Sequence, residues 1–135
     1  MTSIPDGKYS VVNVVYPQQA AALLSPTGEV VGHTFAGGDT RLLWNVKSYP
    51  QLKGTLENEA FSTFVDKEMR GKETSAADAV QWIIIPVGTP GSNQYQIAVD
   101  GLAWTPTGSG EDAMIALEPL SPSRTDQRWT FTANA

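Results

Sequence analysis

Residue types able to carry chemistry are few and dispersed in this chain. His33 is the single histidine, within Val31-Gly32-His33-Thr34-Phe35, a strand-like run with no serine or carboxylate motif beside it. No Gly-x-Ser-x-Gly occurs, so no spacing assembles a nucleophile, a base and an orienting acid. The pairs Glu57/Glu59 and Glu111/Asp112 have the types needed for a general acid and base, but hairpin carboxylates facing solvent are the expected reading. Gly37 and Gly38 precede no helix that would complete a phosphate cradle, and they read as a turn. Cysteine is absent, and no metal-ligand spacing appears. These residues predict no enzyme, no metal centre and no cofactor.

Loops are then the expected carriers of function. Three contain basic residues: Asp39-Thr40-Arg41, Lys67-Glu68-Met69-Arg70-Gly71-Lys72, and Ser121-Pro122-Ser123-Arg124-Thr125-Asp126. The third has the form of a protease substrate held extended. Pro122 fixes its own φ and biases its neighbourhood toward polyproline-like backbone, and Arg124, followed by Thr125, offers a guanidinium that a carboxylate at a pocket floor can grip through parallel hydrogen bonds. A loop already in its bound shape loses little entropy on docking.

The elements that must position such a loop are short apolar segments punctuated by 12 Gly and 9 Pro, the pattern of a many-stranded antiparallel domain. Residues 66–79 lack an apolar stripe and read as a long polar loop. Tyrosine and tryptophan mark three units, Tyr9 to Trp44, Tyr49 to Trp82 and Tyr95 to Trp129, spanning 35, 33 and 34 residues. Repeat arrays of this period built on helices are excluded by the lack of helices, and a three-bladed propeller is too small to close. The expectation is therefore an all-β β-trefoil: one domain, 1–135, of three four-stranded repeats at about 1–47, 48–87 and 88–135, forming a pseudo-threefold barrel with a hairpin cap. The predicted strands are 8–14, 21–25, 30–35 and 42–47, then 51–56, 60–65, 74–78 and 80–86, then 94–99, 102–105, 113–118 and 127–132. Trp44, Trp82 and Trp129 are expected to share the core.

Bulk properties narrow the partners. Nine Lys and Arg against 14 Asp and Glu, a net charge of −5, give no field for a phosphate backbone, so nucleic acid is not expected. The run 79–85 is too short to cross a bilayer, so no membrane is expected either. A cysteine-free chain without a signal-like opening or a glycosylation sequon is expected to be cytoplasmic.

The opening Ile4-Pro5-Asp6-Gly7-Lys8-Tyr9-Ser10-Val11-Val12-Asn13 resembles the start of fungal β-trefoil proteins, which include mushroom lectins and protease inhibitors. Val80-Gln81-Trp82-Ile83-Ile84-Ile85-Pro86, Asn93-Gln94-Tyr95-Gln96-Ile97 and Ile115-Ala116-Leu117-Glu118-Pro119-Leu120 are similar to mushroom serine protease inhibitors of the cnispin and cospin type. The resemblance implies a basic residue presented from the loop after the second strand or from the loop before the last. Here the first, Ser25-Pro26-Thr27-Gly28-Glu29, has no Lys or Arg, whereas the second carries Arg124. The expected function is inhibition of a trypsin-like serine protease through Pro122, Ser123, Arg124 and Thr125. The lectins imply an alternative, carbohydrate binding in the third repeat, with Tyr95 and Trp104 stacking on a sugar while Asn93 or Asp100 takes its hydroxyls.

Overall fold

A computed structural model describes residues 3–133, so the expected domain limits at 1 and 135 lie outside the described residues. The first repeat contains β1 (Gly7–Asn13), β2 (Gln19–Leu23), β3 (Val30–Thr34) and β4 (Leu43–Tyr49). The second contains β5 (Lys53–Asn58), β6 (Phe64–Val65), β7 (Gly71–Lys72) and β8 (Trp82–Val87), and the third β9 (Gln94–Val99), β10 (Leu102–Pro106), β11 (Ala113–Pro119) and β12 (Trp129–Ala133). Short 3-10 turns at Thr40–Leu42 and Thr125–Gln127 lead into β4 and β12.

Strands β1, β4, β5, β8, β9 and β12 pair in that order and return to β1, closing a six-stranded antiparallel ring. The hairpins β2–β3, β6–β7 and β10–β11 cover one end. The fold is an all-β β-trefoil. Its threefold pattern is written in side-chain hydrogen bonds: the Trp44, Trp82 and Trp129 indoles donate to the carbonyls of Ala21, Val65 and Trp104, one in each cap hairpin, at 2.9, 3.2 and 3.2 Å.

That equivalence explains the fourth tryptophan. Trp104 stands where the other repeats carry Ala21 and Val65, so a single large ring fills space that two smaller side chains leave. It meets the Trp82, Trp44 and Trp129 rings edge to face, at centroid distances of 5.6, 6.3 and 6.3 Å, geometry that suits indole quadrupoles. All four are buried.

Two expectations are corrected. The tyrosine marker fails in the second repeat: the residues opposite the core tryptophans are Tyr9, Gly54 and Tyr95, whereas Tyr49 merely ends β4. A Cβ on Gly54 would lie 2.8 Å from Ile84 Cδ1, which occupies the space. The seventh strand lies at 71–72 and not at 74–78. A Cβ on Gly71 would fall 2.1 Å from the Pro26 carbonyl oxygen, so a glycine seats the strand, and glycine carries no strand signal in sequence. Part of the long polar loop is thus a hairpin, its turn held by the Asp66 carboxylate accepting from the Glu68 and Arg70 amides at 2.9 and 3.2 Å.

Candidate functional site

The β11–β12 connection runs over the rim of the barrel with Pro122 and Ser123 exposed at its apex. Ser121 and Arg124 close a turn, the Arg124 amide donating to the Ser121 carbonyl at 3.1 Å. Beneath it, Gln127 is completely buried. Its Oε1 accepts from the Ser121 amide at 2.9 Å, and its Nε2 donates to the Pro119 carbonyl at 2.9 Å and to Thr105 Oγ1 at 3.1 Å. The Gln96 carboxamide donates to the Ser121 carbonyl at 2.9 Å, and Arg128 to the Pro122 carbonyl at 3.0 Å. On the far side, Asn13 donates to the Asp126 carbonyl at 2.9 Å. The entering backbone is thus held from both faces. Gln127 and Gln96 have no counterpart among the residues expected from sequence; an amide two residues before a core tryptophan was the available signal.

Arg124, Thr125, Pro122 and Ser123 all lie on this loop, but the guanidinium of Arg124 is engaged. Its Nε and Nη2 donate to the two Asp126 oxygens at 3.0 and 2.7 Å, and its Nη1 to Glu118 Oε1 at 2.9 Å. Hydrogen bonds accepted by these carboxylates, Asp126 first, raise the Arg124 pKa further above its ordinary value. In the free protein the basic side chain of this loop is therefore fastened to two acids of its own fold.

In the first repeat the same turn reads Ala36-Gly37-Gly38-Asp39, closed by the Asp39 amide donating to Ala36 at 3.2 Å. Arg41 Nε and Nη2 donate to the Asp39 oxygens at 3.0 and 2.8 Å, and Asn58 donates to the Arg41 carbonyl at 2.9 Å.

The residues expected to share a sugar site do not meet. Trp104 is buried in the core and presents no face to a ligand, which corrects its expected stacking role. Asp100 is exposed at the turn between β9 and β10, where Lys67 donates to it at 2.9 Å. Tyr95 lies near the other end of β9, about 16 Å away along an extended strand. Asn93 and Tyr95, by contrast, line one groove at the open end of the barrel.

The fold gives His33 acidic neighbours that no motif beside it in sequence indicates. Its Nδ1 lies 2.5 Å from Asp112 Oδ1 and 2.9 Å from Glu111 Oε1, brought over by the β11 pairing with β3. The Thr34 amide and hydroxyl both donate to Glu111, holding its carboxyl below the ordinary range. Ligand atoms of the three lie within 4.8 Å of one another, an arrangement explained by an imidazole and two carboxylates that tie the third repeat to the first.

No family model and no curated protein matches the sequence. Solved structures share the fold at low identity. A mosquitocidal holotoxin matches with a TM-score of 0.83 and 15% identity, over 100% of this chain and 18% of that one. A proteinase inhibitor from Coprinopsis cinerea matches with a TM-score of 0.76 and 17% identity, over 98% of this chain and 100% of that one. The ricin B-like lectin of Macrolepiota procera, solved with lactose, matches with a TM-score of 0.74 and 17% identity, over 98% of this chain and 100% of that one. The chain therefore spans the full length of two of these and a small part of the holotoxin. Both an inhibitor and lectins from fungi stand among its structural neighbours.

Proposed function

We propose that this β-trefoil inhibits a serine protease by docking the β11–β12 loop into the active-site cleft. The observation that carries the reading is the grip on Ser121, whose amide and carbonyl are held by Gln127 and Gln96 directly beneath the exposed Pro122-Ser123 apex. Such pre-organisation reduces the ordering cost of binding. The side chain offered to the specificity pocket is Ser123, because Arg124 entering it would strip three hydrogen bonds from its own fold. A small apex residue fits a small, elastase-type pocket better than a trypsin-type one.

On this reading the same contacts would make the docked loop resist cleavage. When the protease hydroxyl attacks the Ser123 carbonyl, the bond to the Arg124 nitrogen breaks and an acyl-enzyme forms. The acyl side stays anchored through Ser121, and the released amine through Arg124 pairing with Asp126 and Glu118. The amine remains beside the ester and reforms the peptide bond.

Inhibition constants against elastase-, chymotrypsin- and trypsin-type enzymes test this. Wild type should inhibit the elastase type, and Ser123→Arg should move inhibition to trypsin by roughly 100-fold or more, about 3 kcal/mol of pocket complementarity. Arg124→Ala should weaken inhibition without changing its target. If wild type inhibits none of the three, or inhibits trypsin in a manner abolished by Arg124→Ala and untouched at Ser123, the reading fails.

A further inference from the structure

One ion cluster departs from the pattern of the others. Asp39, Asp100, Asp126, Glu29, Glu59 and Glu118 each pair with a Lys or Arg. Among the described residues Glu111 and Asp112 have His33 as their only ionic partner. Two carboxylates against one imidazole leave negative charge uncompensated whether or not the ring carries a proton. Both aim at one atom: His33 Nδ1 lies 2.5 Å from Asp112 Oδ1 and 2.9 Å from Glu111 Oε1.

The fold holds these groups in place. Strand β11 pairs with β3 only through Ala113 with Gly32 and Met114 with Val31, and the turn ahead of β11 is pinned at that joint. The Asp112 amide donates to the Gly32 carbonyl at 2.8 Å, and the buried Gln19 carboxamide donates to the Gly110 carbonyl at 2.7 Å. The Thr34 amide donates to Glu111 Oε1 at 2.8 Å and the Thr34 hydroxyl to Oε2. These bonds fix the direction of the carboxylate as an outer partner does for a metal ligand. All three side chains reach solvent, so an ion can enter.

Zinc takes imidazole nitrogen and carboxylate oxygen at roughly 2.0–2.2 Å in a tetrahedral arrangement, which sets its donor atoms about 3.4 Å apart. The donor atoms here already lie within 4.8 Å of one another, and shifts of about 1 Å in side chains open to solvent bring them to that spacing. An imidazole beside two carboxylates suits zinc and its first-row neighbours, whereas calcium and magnesium take oxygen ligands. We infer that His33, Glu111 and Asp112 bind a divalent transition-metal ion of the zinc type, with solvent in the remaining position. The ion takes the Nδ1 lone pair, any proton there leaves to solvent, and the first repeat is clipped to the third. The site lies at the start of β11, about 20 Å along the strand from the loop that follows its end, so it is separate from protease inhibition. No sequence spacing shows it, because His33 and Asp112 stand 79 residues apart.

The test uses tag-free, chelator-stripped protein titrated with zinc chloride by calorimetry and followed by proton NMR. Because the chain has one histidine, a single imidazole spectrum reports the site. Zinc should bind one to one with a Kd of about 10 μM or tighter and shift the imidazole signals. At about 100 times that Kd it should raise the melting temperature by several degrees. His33→Gln should abolish binding. Glu111→Gln and Asp112→Asn should each weaken it about 10-fold or more; asparagine suits the left-handed φ of 61 at position 112. All three metal-free variants should keep the wild-type near-ultraviolet circular dichroism, and calcium and magnesium should not compete. No saturable zinc binding below about 1 mM, imidazole signals unmoved by zinc, affinity unchanged by the substitutions, or displacement of zinc by calcium would overturn the inference.

Discussion

The turns that lead into β4 and β12 are built on one plan with opposite polarity. Each closes with an amide-to-carbonyl bond across four residues, each carries a two-pronged ion pair between positions two apart, and each has its tail carbonyl held by an asparagine, Asn58 or Asn13. In the first repeat the acid precedes the base, Asp39 then Arg41; in the third the base precedes the acid, Arg124 then Asp126. An ion pair that survives reversal is part of the turn, and Arg124 belongs to it. The real difference lies underneath: Leu42 is buried in one turn and Gln127 in the other, so only the third repeat grips the head of its loop. The first leaves that place to Gly37 and Gly38, whose Cβ positions are open. Two turns of equal shape are thus unequally held, which is the ground on which the third is proposed as the docking element.

Gln127→Leu converts the third turn into the first and should have the largest effect. It leaves the Ser121 amide, the Pro119 carbonyl and the Thr105 hydroxyl without that partner, so urea unfolding should show a loss of roughly 1–3 kcal/mol, and inhibition should fall about 10-fold or more. Asn13→Ala and Asn58→Ala should each cost about 1 kcal/mol, nearly alike in stability, while only Asn13→Ala weakens inhibition. Equal inhibition in both would break the comparison. The ion pairs come next. Arg41 hydrogen bonding holds the Asp39 carboxyl below its ordinary value, near 3.9 for an unperturbed aspartate. The folded value being the lower one, this stabilisation is present above the ordinary value and disappears as pH falls through the folded one. Arg41→Ala should therefore return the Asp39 titration, followed by carbon-13 NMR, toward the ordinary value; an unmoved titration would remove the pair from the account. Smallest of all, exchanging the first pair by Asp39→Arg with Arg41→Asp should leave the melting temperature nearly unchanged, because polarity is indifferent to the turn.

The architecture was legible because core tryptophans and punctuating turns obey local rules. Ten of the twelve strands overlap their expected spans without difficulty, since alternation and β-branched content survive tertiary packing. The sixth was expected at 60–65, but Asn58 caps a turn through the Ala60 amide and Ser62 takes φ 56, so only Phe64–Val65 pair. The seventh depends on close approach of Gly71 to Pro26, which belongs to another repeat. The site residues were legible by position and not by engagement. A sequence shows that Arg124 lies in a loop, yet its partner Glu118 and the supports Gln96 and Asn13 come from β11, β9 and β1 and converge only when the ring closes. Trp104 is placed at a sugar site from sequence for the same reason: its core position is the one that Ala21 and Val65 hold in the other repeats, residues that give no hint of it singly.

Amide hydrogen exchange at Ser121 in the free protein tests the held loop most directly. With its amide donated to buried Gln127, Ser121 should exchange about as slowly as the barrel core, while Ala36 at the matching place in the first repeat, whose amide has no partner among the described residues, exchanges many times faster. Ser121 exchanging as readily as Ala36 would mean that the third turn is no more rigid than the first, and the case for a pre-organised docking loop would end there.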